Sequence, residues 1–335
     1  MLRLSFVIGC IIGFSVAIGG PEGDLFGMLD ATPVNDPFYP KQAPYLEAIN
    51  VPRAWKRLAS TRVIRKEVTV ALIDSGVRPK HPDLVGNLVK GYNAIDGSYD
   101  TRDRDPLGHG TGMAGVLGAT INNTRGIAGV MDLVNIMPIC EGKRPSQPTV
   151  IAAIDYVVRH REARDIKFIL LAASAAEYEP QLADKIRQAD QAGLSIIVTA
   201  GNKGKNATTE KRYPCALTEQ LSGVLCVAAT ELSMMKLASF SNYANYVDVA
   251  APGVGIMTTG NYINYDTVSG TSPASAIVAG VVAMLYSLAP GLSPADIKRI
   301  IKETSKKGLK DSTGKVTLPF GRVDADKAVA KLIPR

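Results

Sequence analysis

The run VTVALID, at residues 68–74, decides the fold class. It is short, rich in β-branched residues and apolar at almost every position, and it ends in Asp74, which Ser75 and Gly76 follow. A strand that is apolar on both of its faces is typical of a parallel sheet that is covered on both sides. The run therefore predicts a central strand, with a carboxylate at the rim of the sheet.

Five further runs of this kind recur along the chain: VNIMPI (134–139), FILLAA (168–173), SIIVTAG (195–201), GVLCVAA (223–229) and YVDVAAP (246–252). Helix-length segments at residues 149–164, 180–192 and 273–288 lie between or after them. Alternating strands and helices indicate an α/β fold, a three-layer sandwich with a central, mostly parallel sheet and helices on both faces. Functional groups of such sheets gather at the carboxyl ends of the strands.

The N-terminus has the layout of a secretory signal peptide. Arg3 precedes an apolar stretch from Leu4 to about residue 18, and small residues follow. We predict a signal peptide at residues 1–20, a linker or short processed segment at 21–41 and one folded domain at 42–335. An uncleaved signal anchor is the alternative, because a membrane span needs about 20 apolar residues. We expect a secreted protein with no membrane span once the leader is removed.

Composition narrows the range of partners. Apolar residues make up 46% of the 335 residues and charged residues 21%, which is an ordinary globular balance. The formal charge is +7, but Lys and Arg are scattered among Asp and Glu. No basic run suggests a nucleic-acid surface, so we expect no nucleic-acid partner. We also expect a monomer.

Four cysteines are present, and Cys10 lies in the leader. Cys215 and Cys226 flank the short segment ALTEQLSGVL and could form a disulfide in an oxidising compartment, worth roughly 3 kcal/mol. Two buried free thiols are the alternative. Cys140 ends an apolar run, which indicates a buried structural thiol.

Two further residues share the glycine-rich setting of Asp74. Of the three histidines, His81 and His160 lie in polar surroundings, whereas His109 has glycines on both sides and precedes a small-residue helix. A turn of small residues brings Ser272 to the start of an apolar helix, where backbone N–H groups favour an oxyanion. Taken singly, these residues could be a turn cap, an incidental histidine and a helix N-cap.

Taken together, the motifs resemble those of the subtilisin-like serine proteases, the subtilase family of S8-type peptidases. VALIDSGV, GHGTGMAGV and SGTSPASAIVAG are similar to its three signatures, in the same Asp-His-Ser order. HPDL, INNTRGIAGV, TAGNKG, FSNYANYVDVAAPGV and FGRVDADKAV extend the resemblance over about residues 42–332. The resemblance implies a serine endopeptidase that cleaves polypeptides through an acyl-enzyme intermediate.

The resemblance also assigns roles to residues. Ser272 would be the nucleophile, His109 the general base, Asp74 its orienting acid and Asn202 the oxyanion donor. The substrate backbone and pocket would be contacted by Ala172, Ala173, Ser174, Lys203 and Arg212. Lys203 and Arg212 lie at pocket positions, which favours an acidic or polar side chain at P1, the residue before the cleaved bond. The alternative is that both cations extend into water.

The family further implies a calcium site, whose ligands would be oxygen atoms from six residues: side chains of Gln42, Asp83 and Asn123, and carbonyls of Ile121, Arg125 and Ile127. A plain Asn-Asn turn is the alternative. Glycosylation sequons occur at Asn122, which overlaps this loop, and at Asn206.

Several positions depart from the family pattern. Gly112 replaces a histidine, Pro273 a methionine and Ser174 a glycine that lets the substrate lie close. Residues 21–41 are too few for the propeptide domain usual in the family. The competing hypothesis is therefore a catalytically weak or inactive homologue that binds peptides or proteins.

Overall fold

The structure is a computed structural model that describes residues 33–143 and 146–333. The predicted signal peptide lies outside the described residues. The helices are α1 (Tyr39–Ala48), α2 (Val51–Ser60), α3 (His109–Gly118), α4 (Gln147–His160), α5 (Pro180–Gln191), α6 (Thr271–Leu288), α7 (Pro294–Thr304) and α8 (Ala325–Ala330). The strands are β1 (Val68–Asp74), β2 (Tyr92–Asn93), β3 (Val134–Cys140), β4 (Ile166–Leu171), β5 (Ser195–Thr199), β6 (Val224–Thr230), β7 (Val249–Pro252), β8 (Ile256–Thr259), β9 (Tyr265–Val268) and β10 (Gly321–Arg322).

The main sheet has the strand order β10-β7-β6-β5-β4-β1-β3-β2, and its neighbouring strands are parallel. β1 lies between β3 and β4, so VTVALID is an inner strand and is buried along its whole length. β8 and β9 form a separate antiparallel hairpin. The predicted parallel sheet is confirmed.

Side chains of the sheet alternate between two cores. Val70 and Leu72 of β1 belong to the core that contains residues of α3 and α6, whereas Ala71 and Ile73 belong to the core formed with α4 and α5. Helices therefore cover both faces, as the alternation of strands and helices predicts.

Helix α6 passes through the first of these cores. Every residue of it except Ser272 is buried. Among the described residues it is the helix that is long and apolar enough to cross a membrane, and its apolar window is 100% buried within the domain. A helix that is apolar on all sides and surrounded by protein is a core helix.

The linker predicted at residues 21–41 extends too far along the chain. Val34 and Tyr39 are only 5% and 3% exposed and belong to the core, and α1 begins at Tyr39. The compact unit begins at Pro33. The structure therefore includes residues 33–41 in the compact unit, because a Pro-rich composition can also describe a packed coil and the first turn of a helix.

The cysteines behave as predicted. Cys215 and Cys226 form a disulfide with a Cα–Cα distance of 5.0 Å, which joins a short 3-10 helix (Cys215–Glu219) to β6. Cys140, the last residue of β3, is a buried free thiol.

Candidate active site

The carboxyl edge of the sheet brings the candidate residues together. Asp74 ends β1, Ala172 follows β4 and Asn202 lies three residues beyond β5; these strands are neighbours in the order β5-β4-β1. Helices α3 and α6 begin at the same edge, because His109 contacts Asp74 and Ser272 contacts Ala172. The fold therefore gathers at one edge five residues that are far apart in sequence.

Asp74 and His109 form the central contact of the site. Asp74 is 5% exposed, and its Oδ1 lies 2.7 Å from His109 Nδ1 and accepts the Ser75 N–H at 2.7 Å. The carboxylate assigns the proton to Nδ1, so Nε2 is free to accept one. The His109 side chain is 40% exposed. The charge of Asp74 raises the pKa of His109 to about 9, while burial opposes this effect.

A second carboxylate holds this pair in place. Asp103 accepts hydrogen bonds from Ser75 Oγ at 2.7 Å, from Thr111 N at 2.9 Å and from Thr111 Oγ1 at 2.5 Å. The Gly110 N–H donates to Ser75 Oγ at 3.0 Å. These bonds join the loop after β1 to the first turn of α3, which fixes the position of His109 relative to Asp74.

The glycines of α3 allow close packing around His109. A Cβ on Gly110 would collide with the carbonyl oxygen of Gly76. At Gly112, which departs from the family pattern, a Cβ would meet the Thr258 side chain at 3.4 Å, and Thr258 donates to the Gly112 carbonyl. A Cβ at position 112 would therefore lie in ordinary van der Waals contact with Thr258, and Gly112 leaves this side of α3 close to β8.

Asn202 has a defined orientation. Its Oδ1 accepts hydrogen bonds from Thr271 N and Thr271 Oγ1, both at 2.9 Å. Since the oxygen must face these donors, Nδ2 is the amide atom that remains, and it has no partner among the described residues. The exposed Asn202 side chain thus keeps a free N–H donor next to the start of α6.

Ser272 is the second residue of α6. Its hydroxyl lies 3.4 Å from the Ala172 carbonyl oxygen, and within the described part of the chain it makes no hydrogen bond with His109. Contacts between catalytic groups are often long in sites without substrate. The position of Ser272 in the first turn of an 18-residue helix places backbone N–H groups and the positive end of the helix dipole beside its Oγ.

Glu141, which the sequence analysis did not identify, lies beside Asp74. It directly follows β3, its N–H donates to the Asp74 carbonyl oxygen at 2.8 Å, and it is 5% exposed. Burial and, secondarily, the charge of Asp74 raise the pKa of Glu141 to about 8. Both effects favour the protonated, neutral form of Glu141 over a second buried negative charge beside Asp74. The sequence pattern that identified Asp74, an acidic residue at the end of an apolar run, also occurs at Glu141 and could have identified it.

The predicted substrate-binding residues face a narrow cleft. Ser174 Oγ lies 2.8 Å from the position that a Cβ on Gly201 would occupy, and Gly201 has a φ of +95°. Residues 172–174 and 200–202 therefore run close together, and Ser174 narrows the space between them. Beyond it, the backbones of Ala175 and Tyr213 pair through hydrogen bonds of 2.7 and 2.9 Å. Lys203 and Arg212 line one cavity at this end of the cleft.

The structure brings two of the predicted calcium ligands together. Asn123 Nδ2 donates to Asp83 Oδ1 at 2.6 Å, and Asp83 is buried. Gln42 is elsewhere: its Nε2 donates to the Ala128 carbonyl and its Oε1 accepts the Ala128 N–H, both at 2.8 Å. The prediction for Gln42 is therefore wrong, because both ends of its amide are used by the backbone.

Asp36 takes the place that the sequence analysis gave to Gln42. It is 2% exposed, and its carboxylate accepts the N–H groups of Asn122 at 2.9 Å and Asn123 at 3.3 Å. The carbonyl oxygens predicted as ligands accept no hydrogen bond from the residues that the structure describes; they belong to Ile121, Arg125 and Ile127. Two buried carboxylates and unused carbonyls are the oxygen donors that Ca²⁺ prefers.

Comparisons with known proteins identify the family of this chain. The family model of the subtilase family, Peptidase_S8, matches residues 65–322. The chain is 32% identical to thermitase of Thermoactinomyces vulgaris over 88% of this chain and 98% of that protein. It is 34% identical to a thermophilic serine proteinase of Bacillus sp. strain AK1, of which it spans 61%.

A solved structure of a protease from Pseudoalteromonas arctica superposes with a TM-score of 0.76 at 26% identity, and the match covers 90% of this chain and 100% of that one. A cold-adapted subtilisin-like serine proteinase gives a TM-score of 0.66 at 27% identity, over 79% of this chain and 91% of that one. The sequence, the fold and the relatives lead to one assignment: this chain belongs to the subtilase family of serine proteases.

Proposed function

We propose that the chain is a secreted serine endopeptidase that cleaves polypeptides through an acyl-enzyme on Ser272. The observation that supports this most strongly is the 2.7 Å contact between Asp74 and His109. A buried carboxylate that orients a half-exposed histidine, next to a serine at a helix start, is the arrangement that activates a hydroxyl for attack.

Each group has one role in the proposed reaction. Ser272 Oγ attacks the scissile carbonyl while His109 Nε2 takes its proton and then gives that proton to the leaving amine. Asp74 keeps the imidazole in the required tautomer and stabilises its cationic form. Asn202 Nδ2 and the Ser272 N–H would donate to the oxyanion. Water then attacks the acyl-enzyme by the reverse route, which regenerates Ser272.

The proposal is tested by labelling the purified chain with a fluorophosphonate and by following cleavage of an unstructured protein such as casein. We expect labelling on Ser272 and progressive cleavage. A folded chain that binds peptides but neither labels nor cleaves them would be the inactive homologue instead.

Removal of the oxyanion donor gives a graded test. Asn202→Ala should lower kcat by about 100- to 1000-fold, the loss measured when this donor is removed from subtilisin itself, with little change in KM. The reason is that Nδ2 contacts charge that develops only in the transition state. Steady-state kinetics on one peptide would measure it, with the exposed Asn245→Ala as the matched control. A fall in kcat below threefold would contradict the assigned role.

Secretion is supported by two features of the chain. The apolar leader resembles a signal peptide, and the Cys215–Cys226 disulfide is of the kind that persists in oxidising compartments. Secretion into the medium of a host that expresses the full chain, with the N-terminus of the product sequenced, would test it.

We further propose that Ca²⁺ binds where the loop at residues 121–127 meets Asp36 and Asp83. The two carboxylates, with the carbonyls of Ile121, Arg125 and Ile127, would hold the ion. A bound cation would offset the cost of burying two negative groups close together.

Calcium should therefore stabilise the folded chain, by about 2.7 kcal/mol at 100 times its dissociation constant. Thermal melts with CaCl₂ and with chelator would measure the shift, which Asp36→Ala and Asp83→Ala should both lose. Gln42→Ala is the matched comparison. It should lower the melting temperature with calcium and the melting temperature with chelator by similar amounts, so that the difference between them is unchanged. Equal wild-type midpoints with and without calcium would remove the site.

A further inference from the structure

A cavity lined by cations begins directly beside the candidate oxyanion donor. Lys203, the residue after Asn202, lines it together with Lys205 and Arg212. Tyr213, which also lines it, pairs with Ala175 at the end of the cleft. The cavity thus adjoins the Ala175–Tyr213 backbone pair.

The three cations have no ionic partner. Among the described residues, Lys203, Lys205 and Arg212 form no salt bridge, and Arg212 Nε is buried without a hydrogen-bond partner. The neighbouring Lys211 differs, because Glu219 pairs with it. Glu210 is the acidic residue of the lining. Since no carboxylate among the described residues pairs with Lys203, Lys205 or Arg212, their charged groups are available to an anionic ligand in the cavity.

The position of the cavity selects one residue of the substrate. Asn202 would hold the carbonyl oxygen of the residue that is attacked, and Lys203 comes next in the chain. Because P1 carries that carbonyl, its side chain is the one that we assign to the cavity lined by Lys203 and Arg212. Ser174 narrows the approach between the two strand ends, which favours a slender side chain over an aromatic one.

We propose that this cavity makes the enzyme prefer a carboxylate at P1, with Arg212 as the main specificity-determining residue and Lys203 and Lys205 supporting it. The inference rests on the proposed peptidase function. A guanidinium binds a carboxylate through two parallel hydrogen bonds, whereas an uncharged amide of equal size gains less. Glutamate should be preferred to aspartate, because its longer side chain reaches further into the cavity.

The test uses three peptides that are identical except for Glu, Gln or Phe at P1. We expect kcat/KM for Glu to exceed that for Gln by about 10- to 100-fold, and added salt to reduce the ratio. Arg212→Gln should remove most of this preference. Arg299→Gln is the matched control, since Arg299 is an exposed arginine on α7 whose loss changes the net charge equally.

Arg212 is partly buried, so a thermal melt must show that its variant is folded. The exposed Lys203→Gln, which removes no packing, should lower the Glu/Gln ratio by about threefold to tenfold as an independent check. A strong preference for Phe at P1 that neither variant changes would overturn this inference. If the enzyme still labels on Ser272, the proposed peptidase function would stand. A wild-type chain that neither labels nor cleaves any of the three peptides would overturn the proposed function and the inference with it.

Discussion

Replacement of Ser272 by alanine should lower kcat by about a millionfold and abolish fluorophosphonate labelling, since the only atom that can form the acyl-enzyme is removed. A loss of this size is measured when the nucleophile of subtilisin itself is removed. The fold should be unaffected, because Ser272 is the single residue of α6 that is not buried and its hydroxyl makes only one long contact, with Ala172.

The measurement is a burst-phase experiment with an activated ester, supported by a thermal melt. Ser222→Ala, at an exposed serine far from α6 in sequence, is the control and should keep wild-type activity. A burst of product from pure Ser272→Ala would assign the nucleophile to another residue.

Asp74→Asn should have the second largest effect, a fall in kcat of about 10⁴-fold, because an amide can donate to His109 Nδ1 and hold the wrong tautomer. The pH profile should move as well. The general base must be neutral, so kcat/KM rises as pH passes through the pKa of His109, which Asp74 raises to about 9. Without that negative charge the imidazole loses its proton at lower pH. The acid limb of the profile, where kcat/KM rises with pH, should therefore shift toward the ordinary histidine pKa of about 6.5.

Residual activity measured from pH 5 to 10 would show both effects. Asp184→Asn, which removes an exposed carboxylate on α5, should change neither the rate nor the limb. If the acid limb of Asp74→Asn stayed at the wild-type pH, Asp74 would not control the ionisation of His109.

The sequence predicted the fold well, and the reason is local; the catalytic triad stays a prediction. VTVALID is short, β-branched and apolar on both faces, which is typical of an inner strand of a covered sheet, and β1 is such a strand. The glycines around His109 and before Ser272 indicated helix starts, and α3 begins at His109 and α6 at Thr271. Boundaries were less accurate: β4 ends at Leu171, before the predicted Ala173, because Ala172 and the next residues leave the sheet to form the cleft.

The errors concern contacts between distant segments. Asp36 lies in a Pro-rich stretch without periodicity, and its importance depends on Asn122 and Asn123, which are more than 80 residues away. Gln42 was chosen by position in the resemblance, and only the structure places its amide against Ala128. Glu141 was missed because its burial follows from the register that sets Cys140 opposite Asp74.

The contacts of Asp36 have a consequence for resistance to proteolysis. Proteolysis of a folded chain begins where a surface loop opens locally, because a closed loop does not fit into an active site. Asn35 and Phe38 reinforce Asp36: the Thr124 N–H donates to Asn35 Oδ1 at 2.9 Å, and the Phe38 N–H donates to the Gly126 carbonyl at 2.8 Å. We therefore expect the first residues of the domain to hold this loop closed and to slow self-cleavage, although they lie outside the candidate active site.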